Sequence, residues 1–206
     1  MSKLFHSLAL VVVWASSSLC TNFYPIDKAP EELLQNATWI FSSAVLLPVS
    51  IDECWDIITD DDAWQYWHPE VTKITNTGGV PGSVGSSRTI VYDDWLLNLF
   101  SIGPIKFEEQ FDIWEDVGNY RRYSFYFSGA TRPECFTWTA AREELVCERW
   151  DDSKSLFGRT VAIEPGSGQQ TLSFVVYPRL KRTFEELCPQ RMVESIEGGP
   201  FRREVK

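Results

Sequence analysis

The segment Ile105–Trp114 reads IKFEEQFDIW and alternates apolar with polar side chains. Read as a strand, it sends Ile105, Phe107, Glu109, Phe111 and Ile113 to one face and Lys106, Glu108, Gln110 and Asp112 to the other. The apolar face must point inward, so Glu109 is a carboxylate set among core residues. That position is costly unless the carboxylate is paired or near water. Three arginines on other strand-like segments could pair with it. Arg88 shares a face with Ile90 and Tyr92, Arg121 with Tyr123, and Arg159 with Phe157, Val161 and Ile163. Such a pair has two readings. It can be a buried ion pair that satisfies itself. It can also orient the polar end of a mostly apolar ligand, and a carboxylate whose proton affinity is raised by burial could then move a proton next to a polarised carbonyl. Tyr92 and Tyr123 could donate hydrogen bonds there, or serve only as core packing.

Other chemistry has little support. The chain has two histidines, His6 near its start and His68 before Pro69. His68 alone cannot build a histidine-based metal site, and no G-x-S-x-G elbow accompanies it for a Ser-His-Asp triad. There is no G-x-G-x-x-G loop, P-loop or C-x-x-C pair. No metal and no cofactor are expected. The catalytic candidates reduce to Glu109, Arg88 and His68, the last reading better as a turn residue than as a base.

The elements that must position these groups start at Val45–Pro69, VLLPVSIDECWDIITDDDAWQYWHP. An apolar run ends at Pro48. Ser50 has the chemistry of a helix N-cap, and Glu53 lies three residues on, a capping-box spacing. Ile51, Cys54, Trp55 and Ile58 fall on one helical face. Asp60–Asp62 can cap a second short helix carrying Trp64 and Trp67, which Pro69 ends.

This arrangement resembles the START-like, or SRPBCC, superfamily, and within it the polyketide cyclase/dehydrase-like branch. The resemblance rests on Ile51, Trp55, Ile58, Thr59, Asp60, Trp64, Trp67 and Pro69, and on a glycine-rich turn with Gly78, Gly79, Pro81, Gly82, Val84 and Gly85. It covers Thr38–Pro178, and it is more specific for fold than for function. It implies an α+β helix-grip domain over residues 38–198, with two short helices after the first strand. The resemblance also implies a curved antiparallel sheet of about six or seven strands around a C-terminal helix. It places a cavity inside, for which Trp64, Trp67, Tyr92, Phe107, Glu109, Phe111, Tyr123 and Phe125 are the candidate lining.

The remaining segments follow from local pattern. Residues 21–37 read as an extended arm and Thr38–Val49 as the first strand. Val71–Asn76, Arg88–Tyr92 and Tyr120–Ser128 are further strands, the last with Arg121, Tyr123, Phe125 and Phe127 on one face. The connection Asp93–Gly103, rich in apolar residues from Trp95 to Ile102, could pack on the sheet, cover a cavity mouth or meet a partner. Gly129–Ser153 departs from the family pattern, and within it Thr139–Trp150, TAAREELVCERW, has good helix formers. Leu156–Glu164 and Thr171–Tyr177 read as the last two strands, joined by a turn at Pro165–Gly168. Leu180, Phe184, Leu187, Met192, Val193 and Ile196 suit a C-terminal helix, which Pro189 must kink or restart. Residues 199–206 form a tail.

Residues 1–20 have a lysine, a short apolar run and then small residues, the plan of a secretory signal peptide. A retained anchor or a buried helix are the alternatives. The run is too short to span a bilayer, and no other segment is long and apolar enough. Removing the leader leaves Cys54, Cys135, Cys147 and Cys188, for which three disulfide pairings exist. Cys135 with Cys147 is favoured by nearness in sequence, and buried free thiols are the alternative, above all for Cys54. Asn36-Ala37-Thr38 is a glycosylation acceptor pattern if the chain passes through a eukaryotic secretory pathway. The 206 residues suit one domain plus a leader, and 29 aromatic residues (9 Trp, 7 Tyr, 13 Phe) can fill a core or line a cavity. The net charge of −10 disfavours non-specific binding to nucleic acid or to anionic membranes. The expectation is a secreted protein binding a lipid or other hydrophobic small molecule. A polyketide cyclase or dehydratase using the same cavity is the alternative. A weaker third is an interaction protein using residues 95–102 and 129–153.

Overall fold

A computed structural model describes residues 24–93, 104–131 and 138–201. The leader, the apolar stretch 95–102 and Cys135 lie outside the described residues.

The arm is more structured than its composition suggests. It contains β1 (Tyr24–Pro25) and a one-turn helix α1 (Leu33–Asn36). Arg142 Nη1 donates to the Ala29 carbonyl at 3.0 Å, and Ile26 and Ala29 are buried. These contacts fix the arm to the sheet. Then come β2 (Trp39–Leu47), α2 (Ile51–Thr59), α3 (Trp64–Trp67), β3 (Val71–Gly78), β4 (Ser87–Tyr92), β5 (Ile105–Glu115), β6 (Tyr120–Ala130), β7 (Trp138–Arg149) and β8 (Ser155–Pro165). All neighbouring strands are antiparallel, in the order β2-β8-β7-β6-β5-β4-β3, and β1 pairs with the end of β6 beyond the reach of β7.

The helix start at Ser50 behaves as its sequence indicates. Glu53 N–H donates to Ser50 Oγ at 3.3 Å, and Ser50 N–H donates to the Glu53 carboxylate at 2.9 Å. These two bonds satisfy groups that a helix otherwise leaves open. Ile51, Cys54, Trp55, Ile57 and Ile58 face inward from α2, which packs on β7 and β8. After α3, the β3–β4 connection turns sharply at Gly79, whose φ is +72°. A Cβ there would lie 2.7 Å from the Ser86 backbone, so no other residue fits without displacement.

Three sequence expectations need correction. Thr139–Trp150 is not a helix: β7 occupies it, paired with β6 on one side and β8 on the other. Thr171–Tyr177 is not a strand. It falls in α4 (Ser167–Thr171) and α5 (Ser173–Lys181). Both edges of β8 are already taken, by β2 and β7, so a further strand would find no partner beside it. Finally, Ile113 does not continue the inward row of β5. The register slips at Asp112, between the pairs Phe111–Phe125 and Ile113–Ser124. Such a bulge reverses which side chains point inward, and Trp114 stacks on Tyr123 at 5.2 Å in place of Ile113.

The helical path runs from α5 through a π-helical segment (Arg182–Leu187) into α6 (Cys188–Glu197), with Pro189 in the first turn of α6. Proline removes one backbone hydrogen bond and crowds the preceding turn. The wider π turn takes up that defect just before it. Phe184, Cys188, Met192 and Ile196 are buried on the inner side. The π segment lies against β2, and α6 lies against β2 and α3. The result is a curved antiparallel sheet closed on one side by a C-terminal helix.

Candidate functional site

The register places Arg88 of β4 directly opposite Glu109 of β5. Arg88 Nε donates to Glu109 Oε2 at 2.7 Å, and both side chains are buried. Arg88 is thus the arginine that meets Glu109. Arg121 pairs instead with Asp52 and Asp116 near the surface. Arg88 Nη1 donates to Asp61 at 2.6 Å, just after α2.

A second pair of the same kind sits on the other side of β6. Glu143 of β7 accepts from Arg159 Nε of β8 at 2.6 Å, and both are buried. Arg159 Nη1 also donates to Cys188 Sγ of α6 at 3.2 Å. Phe125 and Phe127 of β6 stand between the two carboxylates in the sheet. Both guanidinium groups lie over the Trp64 ring, Arg88 at 4.6 Å and Arg159 at 5.7 Å. Trp64 therefore joins the two pairs into one cluster.

Each pair is bonded through single atoms, and this leaves a remainder. Arg88 Nη2, Glu109 Oε1, Glu143 Oε2 and Arg159 Nη2 are buried without a hydrogen-bond partner among the described residues. The same holds for Tyr92 OH, His68 Nε2 and Trp67 Nε1. Buried polar atoms are ordinarily satisfied, and each one left open costs about 1–3 kcal/mol, more when charged. Tyr123 OH and Trp64 Nε1, by contrast, both donate to the Ile58 carbonyl, at 2.7 and 3.0 Å.

Burial dominates the electrostatics. It pushes the Glu109 carboxyl up from 4.5 to about 7, against the pull of Arg88. It raises the Tyr92 hydroxyl well above its ordinary value, with Glu143 and Glu109 adding to the effect. Burial, then the Arg159 and Arg191 charges, hold His68 well below 6.5, so its ring is neutral. His68 Nδ1 accepts from the Glu70 N–H at 3.4 Å, which assigns the ring proton to Nε2. The Cys188 thiol is pushed up to about 12 and stays protonated.

All eight residues named as candidate lining are buried in this interior: Trp64, Trp67, Tyr92, Phe107, Glu109, Phe111, Tyr123 and Phe125. They pack on one another. Phe107 stacks on Trp138 at 4.5 Å, Tyr92 meets Phe107 edge-on at 5.6 Å, and His68 meets Tyr92 edge-on at 5.3 Å. A crevice of about 40 Å³, bordered by Thr59, Asp61, Ser86 and Trp114, reaches Arg88 from outside. A groove of about 570 Å³ between α2 and the end of α6, lined in part by Ile57, Ile196 and Phe201, is lined by none of these charged residues. Among the described residues no group of acidic, histidine and cysteine side chains is arranged to hold a metal. Asn36 is exposed at the end of α1.

Glu143 was missed in the sequence because its segment reads as a helix. Counted in twos, Ala141, Glu143, Leu145 and Cys147 share one face, all buried. That alternation was the available signal. It also corrects the disulfide: Cys147 bonds to Cys54 of α2, not to Cys135, with 6.2 Å between the Cα atoms. Cys54 is therefore not a free thiol, and Cys188 is.

No protein-family profile matches the chain. Uncharacterized proteins from Mycobacterium tuberculosis and Mycobacterium bovis are 25% identical over 114 residues, 55% of this chain and 58% of theirs. The match thus spans little more than half the length of these curated relatives. Among solved structures, a hypothetical protein from Helicobacter pylori superposes with a TM-score of 0.59 at 10% identity, over 84% of this chain and 96% of that one. The Zhui aromatase/cyclase from Streptomyces sp. R1128 does so with a TM-score of 0.52 at 10% identity, over 78% of this chain and 98% of that one. At such identities the likeness is one of architecture, and the chain has the α+β helix-grip fold.

Proposed function

We propose that this is a secreted protein that binds a lipid or another hydrophobic small molecule between the curved sheet and the C-terminal helix. The observation that carries this reading is the set of buried, charged, unpartnered atoms on Arg88, Glu109, Glu143 and Arg159 within an aromatic interior. A core that needed only stability would be better served by apolar residues of similar volume. A ligand whose polar end reached these atoms would satisfy them, while Phe107, Phe127 and Trp138 would cover its apolar part. Side chains fill this space in the structure, so binding parts the aromatic lining. Each ring contact contributes about 0.5–1.5 kcal/mol beyond buried area, which a ligand of similar apolar surface replaces. Secretion is supported by the composition of residues 1–20 and by the Cys54–Cys147 disulfide. Among the described residues no helix is long and apolar enough to cross a membrane.

A second reading, a cyclase- or dehydratase-like enzyme, is favoured by one observation. A carboxyl raised to about 7 is suited to give and take a proton near neutrality. In that reading Glu109 moves the proton, and Arg88 and Tyr92 polarise a carbonyl.

The test is native mass spectrometry of the secreted protein, then denaturation and identification of what is released. A co-purifying hydrophobic molecule, or uptake of a hydrophobic fluorescent probe with quenching of tryptophan emission, supports the binding reading. An empty protein that takes up no probe overturns both readings. Turnover of a poly-β-ketone substrate that is lost in Glu109→Gln, with binding retained, selects the enzyme.

A further inference from the structure

Both buried pairs divide their bonds in the same way. Each guanidinium spends Nε on a carboxylate and Nη1 on another group, Asp61 for Arg88 and the Cys188 sulfur for Arg159, and keeps Nη2 open. Each carboxylate spends one oxygen and keeps the other open. The remainder is two donor nitrogens and two acceptor oxygens, carried by two positive and two negative charges. His68 and Cys188 add no charge, and the partly exposed Asp61 adds a negative one beside Arg88.

We propose that the polar end of the ligand is uncharged and presents a hydrogen-bond donor beside an acceptor, as a primary amide or a hydroxyl next to a carbonyl does, and that the site rejects carboxylates and ammonium groups of equal chain length. This rests on reading the interior as the ligand site. An anion entering here would gain the two open guanidinium NH2 groups, but it would lie against Glu109 Oε1 and Glu143 Oε2 in a cluster with no net positive charge. An ammonium would meet Arg88 and Arg159 in the same way. Either ion would be stripped of water without a compensating charge, which costs several kcal/mol in a protein interior. A neutral donor–acceptor group satisfies one open N–H and one open oxygen together, at no such cost.

The experiment is displacement of a bound hydrophobic fluorescent probe from the full chain by decanamide, decanoic acid and decylamine. A pH of about 8.5 keeps Glu109 ionised, the acid anionic and the amine cationic. The expected result is that decanamide binds at least about tenfold more tightly than either ion. The Glu143→Gln variant leaves Arg159 without its countercharge while keeping the shape and an acceptor. In it, the affinity for decanoate relative to decanamide should rise at least about tenfold. If circular dichroism shows that variant unfolded, Glu109→Gln applies the same test from the other pair. Decanoate or decylamine displacing the probe as well as decanamide does, or an unchanged acid-to-amide ratio in a folded variant, overturns the inference and leaves the binding reading standing. If no probe is taken up and none of the three compounds binds, the binding reading falls and this inference with it.

Discussion

Reduction of the Cys54–Cys147 bond gives a sharp test of how the helices are held to the sheet. The bond joins residues 93 apart, from the middle of α2 to the end of β7. In the chain-entropy account, a closed loop of roughly 90–100 residues lowers the entropy of the unfolded chain enough to stabilise the fold by about 4.5 kcal/mol. A urea slope of about 2–3 kcal/mol/M is expected for a chain of this size, so reduction should lower the midpoint by about 1.5–2 M. Both sulfurs are buried, so the protein should be reduced in denaturant and refolded with reductant present. Tryptophan emission in urea, with and without reductant, reads the shift. A digest without reductant should contain one peptide pair joining Cys54 to Cys147. A midpoint that moves by less than about 0.5 M would refute the magnitude. A peptide joining Cys135 to Cys147 would refute the placement of β7 over α2.

Three further outcomes follow from single residues. Burial raises the Glu109 carboxyl from 4.5 to about 7, so the folded protein holds that proton more tightly than the unfolded chain does. The resulting stability is fully present below pH 4.5 and is lost as the pH rises through about 7, a fall of ~3 kcal/mol at about 1.4 kcal/mol per tenfold change in proton affinity. His68, lowered by burial, acts with the opposite sign, its stability being lost as the pH falls below 6.5. Comparing wild type with Glu109→Gln cancels His68, and equal pH slopes in urea midpoints would contradict the Glu109 argument. Ser50→Ala removes the cap of α2 and should cost about 1 kcal/mol, a drop of about 2–4 °C in Tm by calorimetry; an unchanged Tm would count against the cap.

The parts of the fold set by local chemistry were legible in the sequence. Ser50 and Glu53 announced the start of α2, and the alternation in Ile105–Trp114 put Glu109 inside, where an arginine met it. The parts set by neighbours were not. Ala140, Ala141, Glu143, Glu144 and Leu145 favour helix by intrinsic preference, yet their segment is held flat between β6 and β8. Thr171–Tyr177 is rich in β-branched and aromatic residues, yet the sheet has no free edge beside β8 to receive it. The bulge at Asp112 has no glycine or proline to mark it, so the inward turn of Trp114 could not be read. One of the four charged residues of the cluster, Glu143, was therefore hidden by a single misread segment, since it lies on β7. The disulfide was misjudged for a related reason. Nearness along the chain favoured Cys135, while the inward face of β7 carries Cys147 to Cys54.

The π-helical segment at Arg182–Leu187 bears on how this chain can change in length. Leu180, Phe184, Cys188, Met192 and Ile196 recur every fourth residue on the core side. In a regular α-helix four residues overshoot one turn by about 40°, so such a stripe would drift away from the sheet within a few steps. The wide turn takes in one residue more than an α turn and brings the stripe back into phase. Glu186 is exposed within it. Deleting Glu186 should tighten the segment to an ordinary α turn and leave Met192 and Ile196 facing inward, whereas deleting Glu194 from the regular part of α6 rotates everything beyond it by about 100°. A folded Glu186 deletion beside an unstable Glu194 deletion would be the mark of this behaviour. The helix that closes the sheet thus contains its own expansion joint, a place where this chain should tolerate the loss of a residue without disturbing the interior.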